Sequence, residues 1–323
     1  MFDLTCDPRH ALDCMHEPDG LHARRSAKAA LDAYAGALAQ GKPSWIEREL
    51  ARGPIAALLS GLSGRTHVEL LDIFSRVGRR GRRRLLRDWR RTLPLSKEKE
   101  HRFIPAVKAA FDAIGRQRGE PGFWKLRHLA GRIAGKGSLG RPRFVAVVKG
   151  HADPDGNVLI DIKSSWDSVV LRATGTPQPQ LGDAAERVVF TQQAMQVSPP
   201  ALLHPILLEG QPFVLRELQP REDRLDIEAL IGRPKRLLPV LETLARIAAW
   251  DQLRSAGRKG SVSVDELMDY GATDSWRRDL VDAASACAEE VERDYASFET
   301  AWRKRDPTLT AQLVSDPGRK VAG

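Results

Sequence analysis

Apolar side chains along the chain recur first with the period of a helix, then with that of a strand, then with that of a helix again. Ala27, Ala30, Leu31, Tyr34 and Leu38 repeat at steps of three and four, as one buried helix face does. Gly41-Lys42-Pro43-Ser44 breaks the pattern, and Ser44 is placed to cap a following helix through Trp45 and Ile46. Leu58, Leu59, Leu62, Leu70 and Leu71 predict further helix around a break at Gly61 to Gly64. Another helix is predicted over residues 97–115.

Near residue 130 the texture changes. Gly and Pro become dense, and the β-branched runs Phe144 to Val148 and Val158 to Ile162 read as strands. Between them, Asp153-Pro154-Asp155-Gly156-Asn157 is a strong turn, because Asp-Gly tolerates the positive φ of a hairpin. A helix fits Asp183 to Gln196. Strands fit His204 to Leu208 and Pro212 to Leu218, joined at Glu209-Gly210-Gln211. From about residue 235 the helical period returns: Leu237, Leu238, Leu241, Leu244 and Ile247 form one face, and Leu280, Ala283, Ala284, Cys287 and Val291 another. The tail after Asp306 is polar and carries Pro307 and Pro317, which predicts a loose end. No internal repeat is present.

Composition narrows the classes. Hydrophobic residues make up 42% of the 323 positions and charged residues 29%, which suits a soluble protein with a sizeable core. No apolar run reaches the roughly 20 residues of a membrane-spanning helix. The first residues, Met1 to Asp7, carry acid where a signal peptide carries basic charge, so no membrane partner and a cytoplasmic location are expected. The cysteines Cys6, Cys14 and Cys287 are too sparse for a disulfide framework. Cys6 and Cys14, near His10 and His16, fit no zinc spacing, and no metal site is expected. The net charge of +9 is local: Arg76 to Arg91 holds nine arginines and one acid, Asp88, so that run supplies +8 and the remainder only +1.

The middle of the chain also carries a glycine string, Gly135-x-Gly137-x-x-Gly140, with Ser138 inside it. A Walker-type loop needs Lys-Ser or Lys-Thr after its last glycine; here Lys136 precedes Gly137, and the spacing from Gly131 is one residue short. A dinucleotide-binding turn opens a helix at its third glycine, whereas Arg141-Pro142-Arg143 and a β-branched run follow Gly140. A kinase-type glycine loop joins two antiparallel strands and covers phosphates with backbone amides. It expects a lysine on the third strand and a glutamate on the next helix. Lys163 ends Ile160-Asp161-Ile162-Lys163, and Glu186 lies in the first turn of the next helix. Taken singly, each has a plain structural reading: a tight turn, an exposed strand-end lysine, and a glutamate favoured by the helix dipole. Their order along the chain favours the nucleotide reading. Asp161 stands where kinases keep a small apolar residue beside the adenine.

The segment resembles the bacterial "domain of unknown function 2252" family, an uncharacterised family related to protein and aminoglycoside kinases. The resemblance rests on Arg132-Ile133-Ala134-Gly135-Lys136-Gly137-Ser138-Leu139-Gly140, Leu159-Ile160-Asp161-Ile162-Lys163, Glu186-Arg187-Val188-Val189, Gln192-Gln193-Ala194-Met195-Gln196 and Phe213-Val214-Leu215-Arg216-Glu217-Leu218-Gln219-Pro220. It runs from about residue 25 to 304, and Glu292 to Phe298 is similar to the family's closing helix. Members carry a G-D-x-H-x-x-N-F-G segment and a D-F-D-like segment near their N-termini. Neither is found here; Gly182-Asp183 lacks the following histidine, and Phe2-Asp3-Leu4 is at most a remnant. The resemblance therefore implies a chain that starts after the catalytic part and is catalytically incomplete.

The expected architecture is α+β: a kinase-like small antiparallel sheet with one helix, flanked by helical N-terminal and C-terminal regions. The expected segments are 1–125, helical with an arginine-rich insert; 126–220, the glycine-loop and sheet unit; 221–306, a helical lobe; and 307–323, the loose tail. The expected function is nucleotide binding, with ATP and Mg as cofactors, through Gly135, Gly137, Ser138, Gly140, Lys163 and Glu186. Arg216 and Glu217 would form a hinge beside it. The competing function is nucleic-acid or anion binding through Arg79, Arg80, Arg82, Arg83 and Arg84, against the plainer reading of a solvated, Gly-interrupted hairpin.

Overall fold

A computed structural model of the chain describes residues 20–134, 140–175, 179–220 and 223–304. The first helix, α1 (Gly20–Ala39), carries the predicted apolar face and gives way to a turn at Gly41, whose φ is +62°. No helix follows through Trp45 and Ile46. The chain makes a lone turn instead, with Ala51 N–H donating to Glu47 O at 3.0 Å, and Arg254 Nη2 donates to Ser44 O at 2.8 Å. Trp45 and Leu50 stay 57% and 65% exposed, so a helix here would bury little apolar surface to offset its nucleation cost, and the residue before a proline disfavours the α region. Helix α2 (Gly53–Leu62) starts with that proline in its first turn. Helix α3 (His67–Phe74) opens on a reciprocal capping box between Thr66 and Glu69.

The arginine run then forms a hairpin of β1 (Ser75–Val77) and β2 (Arg83–Leu85), with Arg76 directly opposite Arg84. Its loop turns at Gly81, φ +66°. A two-residue strand β3 (Thr92–Leu93) follows, then α4 (Lys97–Gln117), capped by Ser96. The central strands are β4 (Leu126–Arg132), β5 (Arg143–Val148) and β6 (Val158–Ser164), followed by a short α5 (Val169–Thr174) and α6 (Ala184–Met195). The sheet is completed by β7 (His204–Leu208) and β8 (Gln211–Glu217). Glu209 and Gly210 join them with φ of +53° and +76°, the left-handed pair of a tight hairpin turn. The helices α7 (Pro234–Ser255), α8 (Val264–Ala272) and α9 (Ser275–Arg303) close the described chain. The fold is α+β.

Strands β3 to β8 form one six-stranded antiparallel sheet in the order β3-β4-β5-β6-β8-β7. Alternation gives it two different faces. Phe144, Ala146, Val148, Ile160, Ile162, Phe213 and Leu215 point to one face, where Phe103, Val107 and Phe111 of α4 cover them. The other face carries two apolar patches. Val145, Val147, Leu159 and Leu218 lie under Leu71 and Phe74 of α3 and Leu85 of the hairpin. Val214 and Leu203 lie under Ala185 and Val189 of α6.

Packing groups the elements differently from their order in the chain. Helices α3 and α4 belong with the sheet, whereas α1 packs against α7 and α8 through Ala37, Leu38, Ala249 and Leu253. Helix α9 leans on α1 through Arg24 Nη1, which donates to Ser285 Oγ at 3.2 Å, and through Arg277, which donates to Asp32 at 2.9 Å. Among the described residues no helix is long and apolar enough to cross a membrane.

Candidate functional site

Between the two apolar patches of the second face lies a row of charge. Arg143 pairs across the strands with Lys163, Lys163 with Val214, and Asp161 with Arg216. Register partners project from the same face, so these side chains share the side that α3 and α6 cover. Asp161 is buried. Arg143 grips it with two parallel bonds, Nε to Oδ1 at 2.9 Å and Nη2 to Oδ2 at 2.7 Å. Arg132 Nη1 reaches Oδ1 at 2.6 Å, and Arg216 Nε stands 3.9 Å from Oδ2. Burial would raise the carboxyl pKa, but the hydrogen bond from Arg143 and the charges of Arg132 and Arg143 outweigh it and hold it at about 2. One buried carboxylate thus organises cations from three neighbouring strands.

Arg143 also ties the row to the glycine string, since its Nη1 donates to Ala134 O at 2.9 Å. The connection between β4 and β5 is the predicted place of that string. Gly135, Gly137 and Ser138 lie outside the described residues, whereas Gly140 leads into β5 with φ +78°, a conformation glycine adopts freely. Lys163 is exposed near the end of β6. Glu186 sits at the third position of α6, on the helix that covers the same face. Its Oε2 accepts from Asp183 N–H at 2.9 Å while Asp183 accepts from Glu186 N–H at 2.9 Å. The carboxylate is turned to its own helix start, the structural role a glutamate has there.

Arg216 and Glu217 end β8 and line a cavity of about 600 Å³, together with Gln219, Pro220, Leu70 and Ile73. Its rim holds the ion pair of Arg65 with Asp223 and the imidazole of His67, whose Nε2 is 2.6 Å from Asn157 O. The backbone there is engaged: Glu217 N–H donates to Ala201 O and Leu218 N–H to Leu159 O, both at 2.8 Å.

The arginines divide. Arg79, Arg80, Arg82 and Arg84 are exposed on the hairpin, but Arg83 turns inward and is only 2% exposed. It donates through Nε to Pro154 O at 2.9 Å and through Nη2 to Asp155 Oδ1 at 3.0 Å, and also pairs with Asp72. Strand alternation separates Arg83 from its neighbours, so Arg83 is a structural anchor and not part of an anion-binding surface.

Arg132, Arg143, Arg65 and Asp223 were not singled out by sequence. The one signal for the first two was Asp161 itself, a charge inside a β-branched run that must find partners when buried. Cys6, Cys14, His10 and His16 lie outside the described residues. Among the described residues no group of His, Cys, Asp and Glu is placed to hold a metal ion.

A family model described as "Uncharacterized protein conserved in bacteria (DUF2252)" matches residues 20–301. No curated protein and no solved structure matches the chain.

Proposed function

The chain belongs to this bacterial family, and from that premise we propose that it is a kinase-like nucleotide-binding scaffold whose phosphate side is the charged row and whose base side is the cavity beside β8. Arg216 carries the reading: it stands 3.9 Å from Asp161 and also lines the cavity, so the cationic row and the cavity form one continuous surface. The element order supports it. A glycine string between antiparallel strands, a lysine on the next strand and a glutamate on the next helix is the arrangement by which kinases hold ATP phosphates. A cavity of about 600 Å³ is of the size that takes a small ligand.

In this reading Lys163 neutralises phosphate oxygens, the glycine turn covers them with backbone amides, and Arg132 and Arg143 supply a fixed positive field. Asp161 is committed to its arginines, so Mg²⁺ would arrive on the phosphates and not on that carboxylate. The adenine position of a kinase is filled here by the Asp161 cluster, so the base is directed to the cavity lined by Arg216 to Pro220. Binding, not phosphoryl transfer, is what these residues support. A cytoplasmic setting, where ATP is abundant, goes with the reading.

Thermal unfolding with Mg-ATP tests it. At about a hundredfold excess over Kd the ligand should raise Tm by roughly 5 °C. Lys163→Ala and Arg216→Ala should each lose most of that rise. No shift in the wild type, or an equal shift in Lys163→Ala, overturns the proposal.

A further inference from the structure

The hairpin that follows α3 is built against its own electrostatics. Arg76 and Arg84 are paired directly across β1 and β2 and both are exposed, an arrangement in which like charges repel. Arg79, Arg80 and Arg82 crowd the exposed tip. Arg83, held from below by Asp72 and Asp155, pins this charged ribbon to the body of the protein.

The loop that follows β2 carries an exposed aromatic residue, Trp89. The Asp88 carboxylate accepts the backbone N–H groups of Arg90, Arg91 and Thr92 at 3.0, 2.8 and 3.0 Å. Trp89 N–H donates to Thr92 O at 3.1 Å. These bonds hold Trp89 at φ +56°, a left-handed conformation in which a bulky residue is an outlier. Trp89 is 68% exposed and is flanked in sequence by Arg87, Arg90 and Arg91. Arg91 pairs with Asp88 at 3.6 Å, and Arg87 and Arg90 are exposed on either side of the indole in sequence. A strained and uncovered indole, mounted by four backbone hydrogen bonds, contributes little to packing.

We propose that the β1–β2 hairpin and the Trp89 loop form a binding surface for single-stranded nucleic acid. Arginines would track the phosphates, and the indole would stack on an unpaired base. A duplex keeps its bases stacked on one another and offers Trp89 none. An acidic protein would satisfy the charges but would leave the mounted ring without a purpose.

The test is fluorescence anisotropy with labelled 20-nucleotide oligo(U), oligo(dT) and a duplex of equal length. With about six phosphates neutralised, affinity for the single strand should fall by two to three decades between 50 and 200 mM salt. Reversing Arg79, Arg80 and Arg82 to Glu together should flatten that dependence and abolish binding at 200 mM. Trp89→Ala should weaken single-strand binding about tenfold, and Trp89→Phe should recover most of it. Preference for oligo(U) assigns the surface to RNA, and preference for oligo(dT) assigns it to DNA. The proposal is overturned by absent binding at 50 mM salt, by equal affinity for the duplex, or by unchanged affinity in Trp89→Ala. Lys163→Ala should bind these oligonucleotides as the wild type does, which separates this surface from the nucleotide cleft.

Discussion

Arg143 meets Asp161 diagonally across β5 and β6, and its planar fork satisfies both carboxylate oxygens at 2.9 and 2.7 Å. Arg132 and Arg216 crowd the same carboxylate from β4 and β8. Removing the acid leaves buried guanidinium groups facing one another, so Asp161→Ala should cost about 3–5 kcal/mol in urea denaturation. A loss below about 1 kcal/mol would mean that the arginines find other anions or water.

Acid should probe the same carboxylate. Its folded pKa is lowered from 3.8 to about 2, so the group contributes stability that is complete above 3.8 and disappears as pH falls toward 2. The loss is about 2 kcal/mol in the wild type. Asp161→Asn, already without the charge, should lack this component. Parallel stability curves for the two proteins between pH 5 and pH 2.5 would contradict it.

Neighbouring arginines of the hairpin should behave differently. Arg83→Ala removes the buried partner of Asp72, Asp155 and Pro154 O. Both carboxylates are more than half exposed, which reduces the penalty to about 2–3 kcal/mol. Arg82→Ala, on the exposed side, should stay within about 0.5 kcal/mol. Equal effects in chemical denaturation would refute the inward turn of Arg83.

Two glycines of nearly equal φ separate backbone strain from crowding. Gly175, φ +63°, has open space among the described residues where a Cβ would stand, so Gly175→Ala should cost about 1 kcal/mol. At Gly150, φ +62°, a Cβ would lie 2.0 Å from Gly156 O. Gly150→Ala should therefore cost well above 2 kcal/mol, read as a difference in Tm between the two variants.

Glu186→Gln distinguishes capping from lysine orientation. Glutamine completes the capping box as glutamate does, so stability should change by less than about 0.5 kcal/mol. If Glu186 orients Lys163 when nucleotide is bound, the same variant should weaken Mg-ATP binding severalfold. Unchanged ATP affinity would confine Glu186 to the helix cap.

The sheet was readable because its strands are locally marked. His204–Leu208 appears where the short apolar run and the Glu209-Gly210 turn put it, and α6 runs inside the predicted helix bounds, with Asp183 and Gln196 as its caps. Strand β3 carries no such mark. Thr92–Leu93 is a strand only because Arg132 and Gly131 lie beside it, forty residues on. The predicted helix after Ser44 is absent because a cap residue cannot compensate for a segment whose large apolar side chains, Trp45 and Leu50, stay mostly exposed. The site was legible only in part for a similar reason. Lys163 and Arg216 stand at strand ends that sequence could place, but the closure of Arg132 and Arg143 on Asp161 depends on register between strands. Arg82 and Arg83 are identical in type, and pairing against β1 alone decides which one is buried.

Ile133 N–H donates to Arg91 O at 2.9 Å, so the chain that leads from β4 to the glycine string is bonded to the loop that mounts Trp89. The two surfaces proposed above therefore share a seam. Thermodynamic linkage makes such a seam reciprocal: whatever factor a seated oligonucleotide imposes on ATP affinity, ATP returns to the oligonucleotide. A titration of either ligand in the presence of the other reads that factor, and equal isotherms would mean the seam transmits nothing.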